Sequence, residues 1–482
     1  MAAVLMAALT LAACTHHKKH APSTIGDTHR PNIVFLLTDD LSLDLLPFLP
    51  SVQRMEQQGV TFTNYFVTDS LCCPSRSSIF TGQFPHTDGV FRNGGPDGGF
   101  EAFTNKGDDK STFATTLHDS GYRTGMMGKY LNGYMPVKKY IPPGWDEWDV
   151  AGDAYPEFNY NINVNGRVDH HGKQPADYMT DVLADRALAF VDDSVAQAKP
   201  FMLEVATFAP HGPFVPAPRD ADKFPGLTVP RTGAYDKATA NAVPWFNRPK
   251  PLNPGQTQIL DSDFRKRAQA VQAVDLLLTR VEKELEAKGV ADNTYIVFSS
   301  DNGYHLGQHR LLAGKQTAYD TDTHVPLVVT GPGVTAGRRV DAFTENIDLR
   351  PTFEAIAQAK TPDAVEGHDL LPVLKGESPT DWRTTVLFEH HGPIRSPADP
   401  DFDGPESVNP PSYEGIRTAS WLYVEYEGGQ HEFYDLVKDP EELDNLAGSM
   451  DSTLQGRLHD ALSAAQSCEK GQGCWNAQHN PR

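Results

Sequence analysis

Five consecutive apolar residues, Ile33-Val34-Phe35-Leu36-Leu37, stand between Pro31 and the acidic pair Asp39-Asp40. A strand with one wet face alternates apolar and polar residues, so a run apolar at every position predicts a central strand covered on both sides. The same form returns in Phe201-Met202-Leu203-Glu204-Val205-Ala206-Thr207-Phe208, in Thr294-Tyr295-Ile296-Val297-Phe298-Ser299-Ser300 and in Val325-Pro326-Leu327-Val328-Val329. Thr112 to Gly121 reads as a short helix leading into a strand over Tyr122 to Tyr130. Asp263 to Lys288 carries Val274, Leu277, Leu278, Val281 and Leu285 at helical spacing, with Gly289 as its stop. Strands alternating with helices predict an α/β domain whose mostly parallel sheet is flanked by helices.

The residues just past each strand are as informative as the strand itself. Asp39 and Asp40 come after the first, Lys129 closes the second, His211 stands just past the third, and Asp301-Asn302-Gly303 comes after the fourth, with Lys315 shortly beyond. Open α/β sheets take their ligands at the carboxyl ends of their strands. Asp39, Asp40, Asp301 and Asn302 are oxygen donors with no His or Cys among them, which suits calcium or magnesium better than zinc. Lys129, Lys315, Arg76 and His211 supply cations and a candidate acid.

The remaining chain divides by composition. Met1 to Cys14 is almost wholly apolar, too short for the roughly 20 residues of a membrane-spanning helix, and fits an export leader. Its ending, Leu11-Ala12-Ala13-Cys14, resembles a bacterial lipoprotein box in which Cys14 carries lipid and anchors the chain to a membrane. Residues 15–30, with His16-His17-Lys18-Lys19-His20, read as a solvated linker. The catalytic domain is expected over 31–371. Within it, Gly212 to about Gly255 is Pro-rich and aperiodic and reads as a surface excursion. Over 372–482 the rhythm changes: short strands, the Gly428-Gly429 pair and a helix over Leu454 to Ala465 predict a smaller α+β subdomain with an antiparallel sheet. Cys468 and Cys474 are placed to close a disulfide in an oxidising compartment. With 42 basic and 63 acidic residues, the net charge of −21 argues against nucleic acid as a partner, so an anionic substrate must be held by a local cluster of cations.

The segment Leu71-Cys72-Cys73-Pro74-Ser75-Arg76-Ser77-Ser78-Ile79-Phe80-Thr81-Gly82 has the form of a helix start, because Pro74 suits a first turn. Cys72 is expected just before that turn, where free N–H groups and the helix dipole favour an anion. Chemistry alone allows a structural cysteine, a thiolate nucleophile or half of a metal site, although adjacent cysteines lack the spacing of a zinc pair.

Cys-x-Pro-Ser-Arg followed by Thr-Gly resembles the signature of type I sulfatases, whose first Cys is oxidised to formylglycine. Only counting from Cys72 puts Pro and Ser in register. Gly128-Lys129-Tyr130-Leu131-Asn132, Asp177-Tyr178-Met179-Thr180-Asp181-Val182-Leu183, Ala209-Pro210-His211 and Ser300 to His309 are similar to the N-acetylglucosamine-6-sulfatase branch.

The resemblance implies an alkaline-phosphatase-like fold and a bound calcium ion, with magnesium the other candidate. The ion's ligands would be Asp39, Asp40, Asp301, Asn302 and the converted Cys72. Arg76 and Lys129 would support the formylglycine hydrate, with Lys315 and His211 on the sulfate. It further implies a sulfated sugar or glycan substrate, maturation by a formylglycine-generating enzyme, and attack of a hydrate hydroxyl on sulfur while His211 or Lys315 protonates the leaving oxygen. Three positions depart from the common pattern and bear on sugar contacts: Leu131-Asn132 after the lysine, Asp88 after His86, and His324 before Val325. The competing readings are an arylsulfatase, a phosphonate or phosphodiester hydrolase of the same superfamily, and a lipoprotein that binds sulfated glycans without turnover.

Overall fold

The computed structural model describes residues 30–246, 250–397, 399–402 and 409–479. The expected leader, Cys14 and all but the last residue of the linker lie outside them. The run Ile33 to Leu37 forms the middle of a strand, Asn32–Thr38, that pairs in parallel with Phe201–Ala206 on one side and Thr294–Ser300 on the other. Arg123–Lys129 and then Glu147–Ala151 continue the parallel array beyond Phe201–Ala206. These strands are the centre of a ten-stranded sheet. Among the described residues only Leu327–Thr330 and Tyr160–Val164 run against the others in it.

Both faces of the central strand are covered, as its composition requires. Ile33, Phe35 and Leu37 pack with Ile79, Phe80, Leu117 and Phe353 on one side. Val34 and Leu36 pack with Leu183, Phe190, Val274 and Leu278 on the other. None of the five is more than 1% exposed, and each such burial contributes about 1.5–3 kcal/mol.

Two elements differ from expectation in detail. The strand expected at Val325–Val329 forms at Leu327–Thr330 but runs antiparallel to Thr294–Ser300. A parallel return needs a crossover of a dozen or more residues, usually helical. Between these strands the described chain holds one four-residue helix, Asp320–Thr323, so it turns back at the same edge. The long helix begins at Pro254, not Asp263, and ends at Ala287. Asn253 caps it, its side chain accepting from the N–H groups of Gly255 and Gln256, and Pro254 holds the first position. The first turns are polar and bury only Leu260 and Phe264, which leaves little periodicity to read.

The C-terminal sheet is antiparallel, formed by Val386–His390, Tyr413–Arg417, Trp421–Tyr426 and His431–Asp435. Gly429, at φ 73°, makes the last hairpin. The helix Ser452–Gln466, capped by Asp451, lays Leu458 and Leu462 against Leu387, Ile416 and Tyr423. Cys468 and Cys474 form a disulfide, and part of the stretch they enclose starts a further helix, Lys470–Ala477. Buried polar contacts tie the C-terminal part to a separate parallel pair, Tyr65–Phe66 with Thr344–Glu345, and the residues next to it. Glu389 N–H donates to Thr68 O at 2.9 Å, and Arg383 bridges Glu345 and Asp348 at 2.7 and 2.5 Å. Among the described residues no helix is long and apolar enough to cross a membrane.

Candidate active site

The cysteine helix spans Cys72–Thr81, so Cys72 opens it instead of preceding it, and Pro74 lies within the first turn. Leu71, the residue before it, is extended and offers no side-chain cap. Asn93 supplies the missing acceptor, its Oδ1 taking the Cys73 N–H at 3.1 Å. Every residue of the helix is buried. Ser75 Oγ donates to Asp301 O, and Asn346 Nδ2 donates to Ser75 O at 3.1 Å, pinning the helix to the strand ends. Gly82 terminates it at φ 64°, where an added Cβ would meet Val365 at 2.9 Å. That close approach gives the Thr-Gly ending a physical reason.

Because the strands carrying them are parallel, the residues singled out at their ends converge on Cys72. Its Sγ lies 3.3 Å from Asp39 Oδ1, and Lys315 Nζ approaches it at 2.8 Å. Lys129 Nζ holds Asp39 Oδ2 at 2.6 Å, and Lys315 Nζ holds Asp40 Oδ1 at 2.6 Å. Arg76 donates through Nε to Asp301 Oδ2 at 2.8 Å and through Nη1 to Lys129 O at 2.9 Å. Asp301 Oδ1 accepts the Asp40 N–H at 3.1 Å, and Asn302 Nδ2 donates to Asp40 Oδ1 at 2.7 Å. Asp40 sits at φ 63°, in the left-handed region, with its carbonyl taken by buried Arg267 at 2.6 Å. His211 Nε2 stands 3.7 Å from Asp40 Oδ2. All nine predicted site residues are therefore in one buried cluster.

The protonation states follow from burial set against this charge pattern. Burial and the Asp39 carboxylate push the Cys72 thiol well above its usual value, overriding Lys129 and Lys315. An unmodified Cys72 is thus a poor thiolate nucleophile. Burial alone would lower Lys129 and Lys315, but Asp39 and Asp40 respectively hold them well above the usual range. Burial raises Asp301, yet Arg76, Lys129 and Lys315 together keep it below the ordinary carboxylate value. His211 is pushed down by burial and up by Asp40, Asp39 and Asp401, and ends at about 9. Its ring agrees: Nδ1 faces Gly212 O at 2.8 Å and Nε2 faces Asp401 Oδ1 at 3.0 Å, so both nitrogens must donate.

The donor set fits a hard divalent cation. Asp39 and Asp40 each bring a carboxylate oxygen within 4.8 Å of Cys72 Sγ, while His211, with both nitrogens donating, adds no ligand. Asn302 Oδ1 is buried with no hydrogen-bond partner, as a ligand oxygen awaiting an electropositive neighbour would be.

Three contributors carry no signal in the sequence. Asp401 accepts from Lys315 Nζ at 2.9 Å, from His211 Nε2 at 3.0 Å and from Asn93 Nδ2 at 2.6 Å. Burial raises it, but Lys315 and His211 hold it well below the usual carboxylate range. Tyr155 packs against His211, the ring centroids 4.4 Å apart and the planes tilted by 46°, and lies under Lys129 at 5.0 Å. Asn93, Tyr155, Asn132 and Asp399 line a cleft of about 990 Å³ that opens beside the cluster. Of the departures from the common pattern, only Asn132 faces this cleft. Asp88 accepts from Ser77 and Thr81 behind the cysteine helix, Leu131 is core, and His324 stacks on Phe66 at 4.8 Å. Sugar contact is therefore not what those three do.

A family model described as Sulfatase matches residues 31–359, and one described as N-sulphoglucosamine sulphohydrolase, C-terminal, matches residues 307–467. Human N-acetylglucosamine-6-sulfatase is 35% identical over 471 residues, covering 92% of this chain and 85% of that protein. A solved enzyme in complex with its substrate D-glucosamine-2-N,6-O-disulfate superposes with a TM-score of 0.76 at 24% identity, covering 94% of this chain and all of that one. A phosphonate monoester hydrolase from Silicibacter pomeroyi superposes with a TM-score of 0.69 at 24% identity, covering 89% and 93%. These two share the fold.

Proposed function

The chain belongs to the sulfatase family and is a sulfuric ester hydrolase; from that premise we propose that it cleaves the sulfate of sulfated sugars, with N-acetylglucosamine 6-sulfate and glycosaminoglycan fragments as the substrate class. The observation that carries this reading is the buried meeting of Cys72 with Lys129, Lys315, His211 and Arg76, one residue away, through Asn93, from a cleft of about 990 Å³. Met135 and Val137, 53% and 60% exposed, give that cleft an apolar wall on which a ring can lie, while Asn132 and Asn159 offer amides to hydroxyls.

Converted to formylglycine and hydrated, residue 72 would supply one hydroxyl that attacks sulfur as the ester S–O bond breaks, and its second hydroxyl, on losing its proton, would collapse to the aldehyde and expel sulfate. Asp39, Asp40, Asp301, Asn302 and residue 72 would hold a calcium or magnesium ion, which would supply positive charge to the site. The chain's own groups do the rest. Lys129, hydrogen-bonded to Asp39, and Arg76, paired with Asp301, fix the carboxylates around residue 72. Lys315 offers its ammonium to the non-bridging oxygens, worth roughly 3 kcal/mol when preorganised. His211, a cation with one N–H directed into the site, protonates the leaving alcohol oxygen. Tyr155 screens Lys129 and His211 from water.

Export to an oxidising compartment is proposed with it, supported by the Cys468–Cys474 disulfide. Maturation by a formylglycine-generating enzyme and a lipid anchor through Cys14 belong to the same reading. The test combines mass spectrometry of the Cys72 peptide, from protein made in a host with the maturation enzyme, with release of sulfate from N-acetylglucosamine 6-sulfate, an aryl sulfate and an aryl phosphonate. Conversion of Cys72 with preferred turnover of the sugar is expected. Converted protein that favours the phosphonate, or releases no sulfate from any sugar, sinks the substrate reading.

A further inference from the structure

Asp401 reaches the site from the C-terminal part of the chain and takes the donors that an incoming oxyanion needs. Its Oδ1 accepts from Lys315 Nζ at 2.9 Å and His211 Nε2 at 3.0 Å. Its Oδ2 accepts from Asn93 Nδ2 at 2.6 Å and lies 3.8 Å from Cys72 Sγ. The side chain is thus an anion seated among the cationic groups around the nucleophile position. We propose that Asp401 is a built-in occupant of the sulfate pocket, an internal carboxylate that substrate displaces on entry and that returns to help expel free sulfate. The inference rests on the reading that Lys315 and His211 receive the sulfate group.

Hydrogen-bond stoichiometry makes the competition exclusive at His211. Its Nδ1 is committed to Gly212 O at 2.8 Å, so Nε2 carries the one N–H that faces the site, and that N–H goes to Asp401. An imidazolium has two N–H groups in all. His211 therefore cannot donate to an ester oxygen while Asp401 holds it. Access points the same way. Cys72 is wholly buried, and Asp401 links it to the wall of the cleft: Asn93 binds both carboxylates, and Asp399 Oδ1 accepts the Asp401 N–H at 3.0 Å. Asn93, Asp399 and Pro400 line the cleft itself. Asp401 has a catalytic neighbour on each oxygen and a short tether to the surface that substrate would cover.

An internal competitor lowers the apparent affinity of every external anion by the fraction of time it leaves the pocket open. Free sulfate, the product, is affected as much as the ester. The ester recovers affinity through contacts along the cleft, and the product has none. Asp401 thereby weakens both equally, which keeps product from lingering, while the cleft contacts separate ester from product.

The decisive measurement is calorimetric titration of inorganic sulfate into calcium-loaded wild-type, Asp401→Ala and Asp401→Asn protein, with thermal unfolding as the check on fold. If Asp401 occupies the pocket about nine-tenths of the time, sulfate binds about tenfold tighter in both variants, and inhibition of turnover by sulfate strengthens in step. Unchanged affinity in a folded variant overturns the proposal, and weaker affinity does so by making Asp401 an anion-supporting group. Failure of both variants to fold would give Asp401 a structural role and overturn it as well. Sulfate binding does not need a converted Cys72, so tightened binding together with no sugar hydrolysis by converted protein would refute only the substrate reading. Sugar hydrolysis with unchanged sulfate binding would refute only this one.

Discussion

His86 ties the segment after the cysteine helix to the C-terminal sheet through a charge that pH can remove. It lies just beyond the cysteine helix, in Pro85–Asp88. Its Nδ1 is 2.9 Å from Glu389 Oε2 on the C-terminal sheet, and its Nε2 is 3.0 Å from Cys468 O at the disulfide. A neutral imidazole has one N–H, so serving two acceptors requires the imidazolium. Burial lowers the ring's pKa, but Glu389 and the Cys468 carbonyl raise it to about 9, with Glu366 adding to the effect. Against an ordinary value near 6.5, that shift corresponds to at most about 3 kcal/mol at 1.36 kcal/mol per unit, less whatever screening its 16% side-chain exposure allows. Because the folded value lies above the unfolded one, the contribution is complete below about pH 6.5 and is lost as pH rises through about 9. For a chain of this length the unfolding entropy is roughly 1 kcal/mol/K, so the contribution appears as a Tm difference of up to about 3 °C. The assay is thermal unfolding of disulfide-intact wild type and His86→Gln in parallel, at about pH 6 and about pH 10, where the charge is present and absent. The gap between the two proteins is expected to shrink by up to that 3 °C on going to high pH. A gap that stays constant, or widens, would show that the ring is not charged in the folded protein and would refute the argument.

Two further outcomes test the site. Lys315→Met should lower kcat/KM by about 10²–10³, because Lys315 alone touches Cys72, Asp40 and Asp401 together; activity within tenfold of wild type would remove Lys315 from the sulfate. Removing divalent metal with a chelator should abolish activity and lower Tm, and calcium at about 100 times its Kd should restore about 2.7 kcal/mol of stability; an unchanged Tm and turnover after complete chelation would mean that Asp39, Asp40, Asp301 and Asn302 hold no ion needed for either.

The parts of the site that could be read from the sequence are those in which local pattern and chemistry coincide. Ile33 to Leu37 could only be a strand covered on both faces, and a parallel sheet then fixes where Asp39 and Asp40 must point. Asp301 and Asn302 obey the same logic one strand away, with the Asp301 N–H donating to Thr38 O at 3.0 Å. Helix periodicity likewise located Val274 to Leu285. It could not show that the strand at Leu327 turns back, because direction is set by what lies between strands, and Gly303 to Val325 has no period to read. The cysteine motif gave the residue but not its place in the helix, since a one-residue shift of a helix start leaves no trace in composition.

The features that escaped the sequence share a different property: they depend on how the C-terminal sheet docks. Asp401 and Cys72 are 329 positions apart, and His86 and Cys468 are 382 apart; no local pattern links such pairs. Asp88 is a different case: its carboxylate is turned to Ser77 and Thr81 only 11 and 7 positions away, a local contact that the motif did not reveal. The division has a functional consequence. The groups proposed to handle the sulfur atom belong to parallel strand ends and the helix packed on them, so the sheet itself holds them together. Asp401 and the residues that line the cleft nearby, Ile394 to Pro397 and Asp399, come from the segment joining the first two strands of the small sheet. Substitution there should change which sulfate esters the enzyme accepts, and how firmly it retains free sulfate, while leaving the placement of Asp39, Asp301, Lys129 and Cys72 unchanged.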